Sequence, residues 1–543
     1  MELHPMTRRE LLRGLSALAV VGAAGTACGG PEPKQASGTI RASELPSFAD
    51  PGIVKPDLKS AYPGGMNAYF RYPPNPAAAF KDKPLGGGTV KGLTYTFDPV
   101  APGLAENPLW QKVNEQIGGD LSITYAPSAD YAQRFATTIA SDDLPDLVTI
   151  YGQVQQLPGL LKSKFTDLSE HLAGDAIQAY PNLAGLATDS WRETMLDGSI
   201  WGIPIARPPV SGTMFARKDL LDKQGLSLQP TTFAEFKDLL TALTDKRGSR
   251  WACGDPGGVL GMITAALGVP SAWIEKDGAF TANLELEQYE AALEDTRALV
   301  AAEVFHPDGM TATNNQRNDW FTQGRTPLVI GGFVGWSKYE MWGAAVQGFQ
   351  LATILPFSYD GTTKPVHGRG AVIQAMTAIK KSDPSRVKEL LRLLDWLATP
   401  FGSAEYVLRN YGVENVTYTL KGTDPIVNAS GQTLRLVPFK YLSDGTQVIY
   451  DPGLQRVAQA RFDYQEAALE IIDRDPTLGL YSETEAAKNA QLSAKLTDAR
   501  TEILRGQKPV STWKEAVDTW RKDGGDTIRD EYEAAYAKAS GSR

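Results

Sequence analysis

The chain has 543 residues, too long for one domain of the usual size of about 100–150 residues. Apolar residues make up 42% and charged residues 22%, as in an ordinary globular protein, and a formal charge of −9 argues against a nucleic-acid partner. Four His and two Cys nearly exclude a structural zinc cluster, which needs four such ligands close together.

The N-terminus reads Arg8-Arg9-Glu10-Leu11-Leu12-Arg13, followed by an apolar run from Leu15 to Ala27. As a helix that run would rise about 20 Å, short of a hydrocarbon core of roughly 30 Å. A basic segment before a short apolar one is a secretory signal. The paired arginines resemble a twin-arginine export signal; an ordinary Sec signal carrying two Arg is the alternative. The run ends in Gly25-Thr26-Ala27-Cys28, which resembles a bacterial lipobox except that Gly25 stands where Leu is usual. We therefore expect a signal peptide over 1–27, a lipidated Cys28, and a lipid-anchored tether and N-terminal extension over 28–87, rich in Pro, Gly, Ser and Ala. Cys253 is then the remaining thiol, so no internal disulfide is expected, and it reads as a small buried residue.

From Leu93 the pattern changes. Leu93–Phe97 alternates as a strand, Asn107–Ile117 reads as a helix with Pro108 at its first position, and Leu121–Tyr125 is a second strand. Asp130–Ala140 is a helix with Asp130 as N-cap, and Leu147–Tyr151 is a third strand. This spacing predicts βαβ units and a parallel sheet with covered faces. No Gly-rich phosphate loop follows any of these strands, so nucleotide chemistry is not expected. Asp197-Gly198 marks a turn into a strand ending at Ile203-Pro204. Thr232 and Glu235 predict a capping box. Asp383-Pro384 opens a helix whose apolar face is Val387, Leu390, Leu391, Leu394 and Leu397. Thr512 and Glu515 predict a last capping box, with Gly524-Gly525 stopping that helix.

Several segments then carry a resemblance. They are Asp143-Leu144-Pro145-Asp146-Leu147, Asp197–Pro204, Arg217–Leu226, Phe321–Leu328, Tyr411–Val416 and Trp513–Trp520 before Gly524-Gly525. In that order, behind a lipobox-like signal, the chain resembles the family 1 extracellular solute-binding proteins of ABC importers, in particular the large lipoproteins that handle oligosaccharides. The resemblance implies an α/β, two-lobed periplasmic-binding-protein-like fold (type II), its lobes interleaved in sequence and joined by hinge strands. Mapped here, the first lobe is 88–205 and 367–445, and the second is 206–366 and 446–540. It also implies capture of a sugar, ABC permease partners, a monomer, and a place on the outer face of the cell membrane. Some relatives carry a calcium loop after the Thr-x-x-Glu helix. Here Asp245-Lys246-Arg247-Gly248-Ser249-Arg250 puts cations where oxygen ligands are needed, so neither metal nor cofactor is expected.

Ligands of open parallel sheets bind beyond the carboxyl ends of the strands, which points to the residues after Phe97, around Tyr151 and around Phe333–Trp336. The expected ligand-binding residues are Trp336, Trp273, Tyr151, Trp201, Arg207, Arg369 and Asp98. Trp336 follows the strand Leu328–Phe333, where maltose-type binders similarly carry a stacking Trp; packing under a loop is the alternative. Trp273 lies in a segment that reads as a loop, and Trp201 at the turn-to-strand segment. Arg207 and Arg369 flank the two expected hinge crossings, and Asp98 is the acceptor. Trp191 and Trp396 read as core.

A binding protein rather than an enzyme is the leading expectation; a secreted glycoside hydrolase or a non-transporting sugar receptor is the alternative. One consequence tests the anchor. Cys28→Ala should release the protein from the membrane fraction or leave the precursor uncleaved, as read by fractionation and intact mass. Wild-type protein found freely soluble after a Sec-type cut would contradict it.

Overall fold

The computed structural model describes residues 45–141 and 143–540. The expected signal peptide, the twin-arginine pair, Cys28 and the start of the tether lie outside the described residues. Among those described, no helix is long and apolar enough to cross a membrane.

The body begins with β1 (Thr89–Thr96), α1 (Pro108–Ile117), β2 (Asp120–Pro127), α2 (Tyr131–Ala140), β3 (Leu147–Tyr151), α3 (Leu157–Lys164) and β4 (Ile203–Ala206). The Asn107 side chain caps α1 by accepting from Leu109 and Trp110, and Pro108 takes the first position, where no N–H is needed. Asp130 precedes α2, but its side chain does not cap it. Before β4, Asp197 and Gly198 both adopt positive φ, which closes the two-residue hairpin between Met195–Leu196 and Ser199–Ile200.

The chain then crosses to a second sheet, made of β5 (Gly212–Arg217), β6 (Leu328–Gly332) and β7 (Leu351–Ile354) in the order β6-β5-β7. Between β5 and β6 lies α4 (Phe233–Leu243), capped by Thr232, which accepts from the Glu235 amide. The return strand β8 (Ile373–Ile379) inserts between β3 and β4, completing a first sheet ordered β2-β1-β3-β8-β4. Strands β1, β2 and β3 are parallel, as expected; β8 is antiparallel to both of its neighbours. After α5 (Pro384–Leu397) and a third crossing come α6 (Gln455–Glu470), α7 (Glu483–Leu504), α8 (Thr512–Trp520) and α9 (Asp526–Ser540). The apolar stripe of α5, Val387, Leu390, Leu391, Leu394 and Leu397, is fully buried beside the first sheet. The two sheets with their covering helices are the two lobes.

Two helix-end expectations need correction. Thr512 is the first residue of α8, with Ser511 at the N-cap, and its hydroxyl donates to Pro509 O instead of accepting from Glu515. Gly524-Gly525 ends α8 in a kink, yet the chain turns directly into α9. That pair is a joint between helices rather than a terminus.

The segments that carried the family resemblance fasten the scaffold. Asp146 accepts from the Lys91 amide at 2.8 Å and pairs with Arg386 at 3.2 Å, joining β1 to α5. Gly412 has φ 94°, and a Cβ there would meet the Thr417 hydroxyl at 2.2 Å, so this turn requires glycine. Trp513 stacks on Tyr289 at 5.2 Å and donates its Nε1–H to Leu284 O at 3.0 Å. Cys253 is buried, and burial pushes its thiol up to about 12.

The N-terminal segment lies on both lobes. Ser47 N donates to Gly174 O on the first, Met66 pairs with Gln465 of α6 on the second, and Ala79 N returns to Glu405 on the first. Residues Ala68–Tyr69 run parallel to Ile449–Tyr450 in the third crossing.

At the end of β5, Arg217 makes a bidentate pair with Asp219, both bonds 2.9 Å, and also donates to Phe321 O and Thr322 O. Both side chains are buried. Burial alone would raise the Asp219 carboxyl, but the Arg217 guanidinium and the backbone N–H of Gln350 together outweigh it and hold the group below its usual range. Arg217→Ala leaves that carboxylate buried without its cation and should cost about 3–5 kcal/mol in urea unfolding. A carboxyl held low stabilises the fold above its unfolded pKa of about 4 and loses that contribution as pH falls. The gap between wild type and variant should therefore shrink below about pH 4.

Candidate functional site

Because β1 and β3 are parallel and register Gly92 with Leu147 and Leu93 with Val148, their carboxyl ends open at the same edge. The side chains there are aromatic. Tyr95, fully buried, stacks on Tyr151 with centroids 4.2 Å apart, and Phe97 meets Tyr95 edge-on at 5.5 Å. Tyr441, from the turn Phe439–Tyr441, joins Tyr95 at 4.6 Å and Phe97 at 6.0 Å. The Thr94 hydroxyl holds that turn by donating to Tyr441 O at 3.0 Å. Phe97 itself is 53% exposed. A large apolar ring supported by buried aromatics and left open to water is a ledge on which a flat apolar surface can settle.

Polar groups ring the ledge. Asp98, next to Phe97, faces the Lys440 ammonium at 3.6 Å, and that ammonium lies 4.9 Å over the Tyr441 ring. Burial raises the Tyr95 and Tyr441 phenols well above the usual value, and the Arg207 charge opposes this at both. Arg207 is exposed just past β4, its backbone N–H donating to Val372 O at 2.9 Å.

Arg207 and Arg369 both line a cavity of about 460 Å³ at the crossings, which Phe48, Asp50 and Tyr69 of the N-terminal segment also line. Arg369 Nη2 donates to Asp189 at 2.8 Å, its Nε has no partner, and its backbone N–H donates to Asp473 at 2.8 Å.

Three tryptophans expected at the ligand are placed in cores instead. Trp336 is 2% exposed and packs against Phe215 at 5.4 Å, Tyr464 at 5.9 Å and Phe333 at 6.1 Å. The reason is local. Strand β6 ends at Gly332, and a 3₁₀ turn over Phe333–Gly335 follows, in which residues three apart share a side. Phe333 and Trp336 both turn inward, and Val334, 46% exposed, takes the outward position. Trp273 is 8% exposed because its segment is a strand, Trp273–Lys276, paired with Ala279–Ala282 under Trp520 and Tyr532. Trp201 is 5% exposed and donates its Nε1–H to Leu196 O at 3.1 Å. Trp191 and Trp396 are core, as expected. Tyr151, Asp98 and Arg207 lie at the ledge, and Arg369 at the cavity. Tyr95, Lys440 and Tyr441 are absent from the sequence reading. The alternation Thr94-Tyr95-Thr96-Phe97 held a signal for Tyr95; nothing local links residue 441 to it.

The stretch Asp245–Arg250 closes on itself: Asp245 and Arg250 pair through both backbone bonds, Gly248 N donates to Asp245, and Lys246 pairs with Glu303.

A family profile described as bacterial extracellular solute-binding protein matches residues 101–402, more than half of the chain. The chain is 23% identical over 446 residues to the polygalacturonan/rhamnogalacturonan-binding protein YtcQ of Bacillus subtilis, covering 79% of this chain and 88% of that one. It is 22% identical over 491 residues to the lipoprotein LipO of the same organism, covering 85% and 94%. Among solved structures, an HMO-binding, ABC-transporter-associated solute-binding protein of Bifidobacterium longum infantis is similar, with a TM-score of 0.64 at 16% identity over 83% and 99% of the two chains.

Core and ledge rings should separate in unfolding experiments. Trp336→Ala removes a packed ring and should cost about 3–5 kcal/mol. Phe97→Ala removes an exposed one and should cost under about 1 kcal/mol. Urea unfolding of the two variants checks both.

Proposed function

The chain belongs to the bacterial extracellular solute-binding proteins, and on that premise we propose that it captures a sugar or oligosaccharide between its lobes and delivers it to an ABC permease in the membrane. The single observation that carries the sugar reading is the supported, exposed Phe97 with charged donors and acceptors around it. A sugar ring has an apolar C–H face and a polar edge. Phe97 and Tyr151 suit the face; Asp98, Lys440 and Arg207 suit the hydroxyls, and bonds to charged groups contribute roughly 1.5–3 kcal/mol each. The relative YtcQ binds polygalacturonan and rhamnogalacturonan, which supports the same class of ligand.

In this reading the lobes are 88–205 with 367–445, and 206–366 with 446–540; they move about the three crossings, and the protein acts as a monomer. Membership of an extracellular family sets the chain outside the cytoplasm. Anchoring through Cys28 and export on a twin-arginine signal are the finer proposals, and the lipoprotein relative supports the anchor. Capture is favoured over hydrolysis because glycoside hydrolysis takes a pair of carboxylates, and the ledge carboxylate, Asp98, is already held by Lys440.

Stacking a sugar on Phe97 buries some 60–100 Å², which at ~25 cal/mol/Å² gives about 1.5–2.5 kcal/mol. Calorimetric titration with a panel of neutral and acidic oligosaccharides should therefore find a binder whose Kd rises about 10- to 70-fold in Phe97→Ala. Chromatography should recover that sugar unchanged. A cleaved sugar, or wild-type and variant affinities that match, would overturn the reading.

A further inference from the structure

The loop between β3 and α3, Gly152–Gln156, continues directly from Tyr151 of the ledge. Its last residue, Gln156, is held at φ 52°, ψ 31°, left-handed backbone that a non-glycine side chain rarely adopts. Gln156 is the N-cap of α3, and no side chain of its own lobe caps that helix. The group that meets it comes from the other lobe. Glu483, the first residue of α7, accepts the Gln156 amide with both carboxylate oxygens, at 3.1 and 3.2 Å. Tyr481 donates to Val154 O at 3.2 Å and lies 2.7 Å from the same carboxylate. The Glu483 charge therefore sits between two helix N-termini, that of α3 on the first lobe and that of α7 on the second, and both favour an anion.

The two sides differ in firmness. Leu161 anchors α3 in the first lobe's core, but the loop before it is mostly exposed and bends through two left-handed residues, Gly152 and Gln156. On the second lobe, Glu531 of α9 accepts from Thr484 N at 3.0 Å and from its hydroxyl at 2.8 Å, and pairs with the Ser482 hydroxyl. The start of α7 is thus fixed within its own lobe. A further bond across the seam, from Gly479 N to Glu193 at 2.8 Å, runs beside it.

We infer that Glu483, with Tyr481, is a positioning pair that gives the ledge loop Gly152–Gln156 its shape from across the seam between the lobes. The inference rests on the proposed capture of a sugar at that ledge. The loop beside the ligand is completed by the opposite lobe, so loss of the pair releases both the Gln156 amide and the loop's strained backbone. Loss of the pair should mainly speed ligand release, because encounter uses the ledge rings, which the pair does not touch.

The test has two arms on the full chain in a Cys28→Ala background, freed of its anchor. Hydrogen exchange of the unliganded protein follows the Gln156 amide in wild type, Glu483→Gln and Glu483→Ala. Stopped-flow measurement follows dissociation of two named probes, trigalacturonate and maltotriose. The expected result is about tenfold faster exchange at Gln156 in Glu483→Ala with an intermediate value for Glu483→Gln. A probe that binds should leave about tenfold faster from Glu483→Ala, its association rate changing less than twofold and the thermal midpoint nearly unchanged. Unchanged exchange at Gln156 overturns the pairing. Altered exchange with unchanged dissociation of a bound probe overturns its role at the ledge. If neither probe binds wild type while the panel also fails, the sugar reading falls, and the exchange arm alone still decides whether Glu483 shapes the loop.

Discussion

The structure depends on the place of β8. This strand arrives only after the chain has built the second sheet, yet it lies between β3 and β4, antiparallel to both, with Ala375 opposite Tyr151 and Met376 opposite Pro204. Neither lobe is continuous in sequence as a result. The first sheet is incomplete until the chain has left it and returned, and the crossings that result are the hinge. The third crossing adds Ile449–Tyr450, which the N-terminal segment covers as a parallel strand. A hinge of this kind is a consequence of interleaving, not an added device.

The same constraint positions the chemistry. Three parallel strands bring their carboxyl ends to one edge, and the antiparallel pairing of β4 with β8 sends Arg207 and the segment before Ile373 to that edge too. The ledge is therefore assembled from residues 95–98, 151, 207 and 440–441, which no local segment could supply. Its two buried phenols are costly to ionise and stay neutral, so the apolar support under Phe97 carries no charge at physiological pH. Across the seam, a carboxylate of α7 completes the loop that leaves the ledge. The candidate ledge and the contact across the seam are thus adjacent along one strand end.

What was legible in the sequence was what depends on near neighbours. Strand β3 spans the expected Leu147–Tyr151, Asn107 and Pro108 open α1, and Thr232 caps α4, because those signals lie within a few residues of one another. The fold was legible because the segments shared with the family are fasteners, such as Asp146 between β1 and α5 or the Arg217–Asp219 pair. Fasteners identify a scaffold and say little about a ligand. Trp336 was misplaced by one residue of strand length: ending β6 at Gly332 and inserting a 3₁₀ turn rotates that ring into the core. Trp273 was misplaced because a small, Gly- and Pro-flanked stretch conceals a hairpin buried under the last helices. Tyr441 and Glu483 were not legible at all, since their partners lie hundreds of positions away and tertiary pairing leaves no period in the sequence.

The central claim is that one ligand is held between two lobes that close about the three crossings. Its most direct test is a distance measured across the cleft by pulsed electron spin resonance, with labels on Gln133→Cys of α2 and Asp238→Cys of α4 in a Cys28→Ala background. Both positions are exposed, and Cys253 is buried away from the labelling reagent. A saturating panel oligosaccharide should shift the distribution to a shorter, narrower distance. A distribution unchanged at saturation would contradict it.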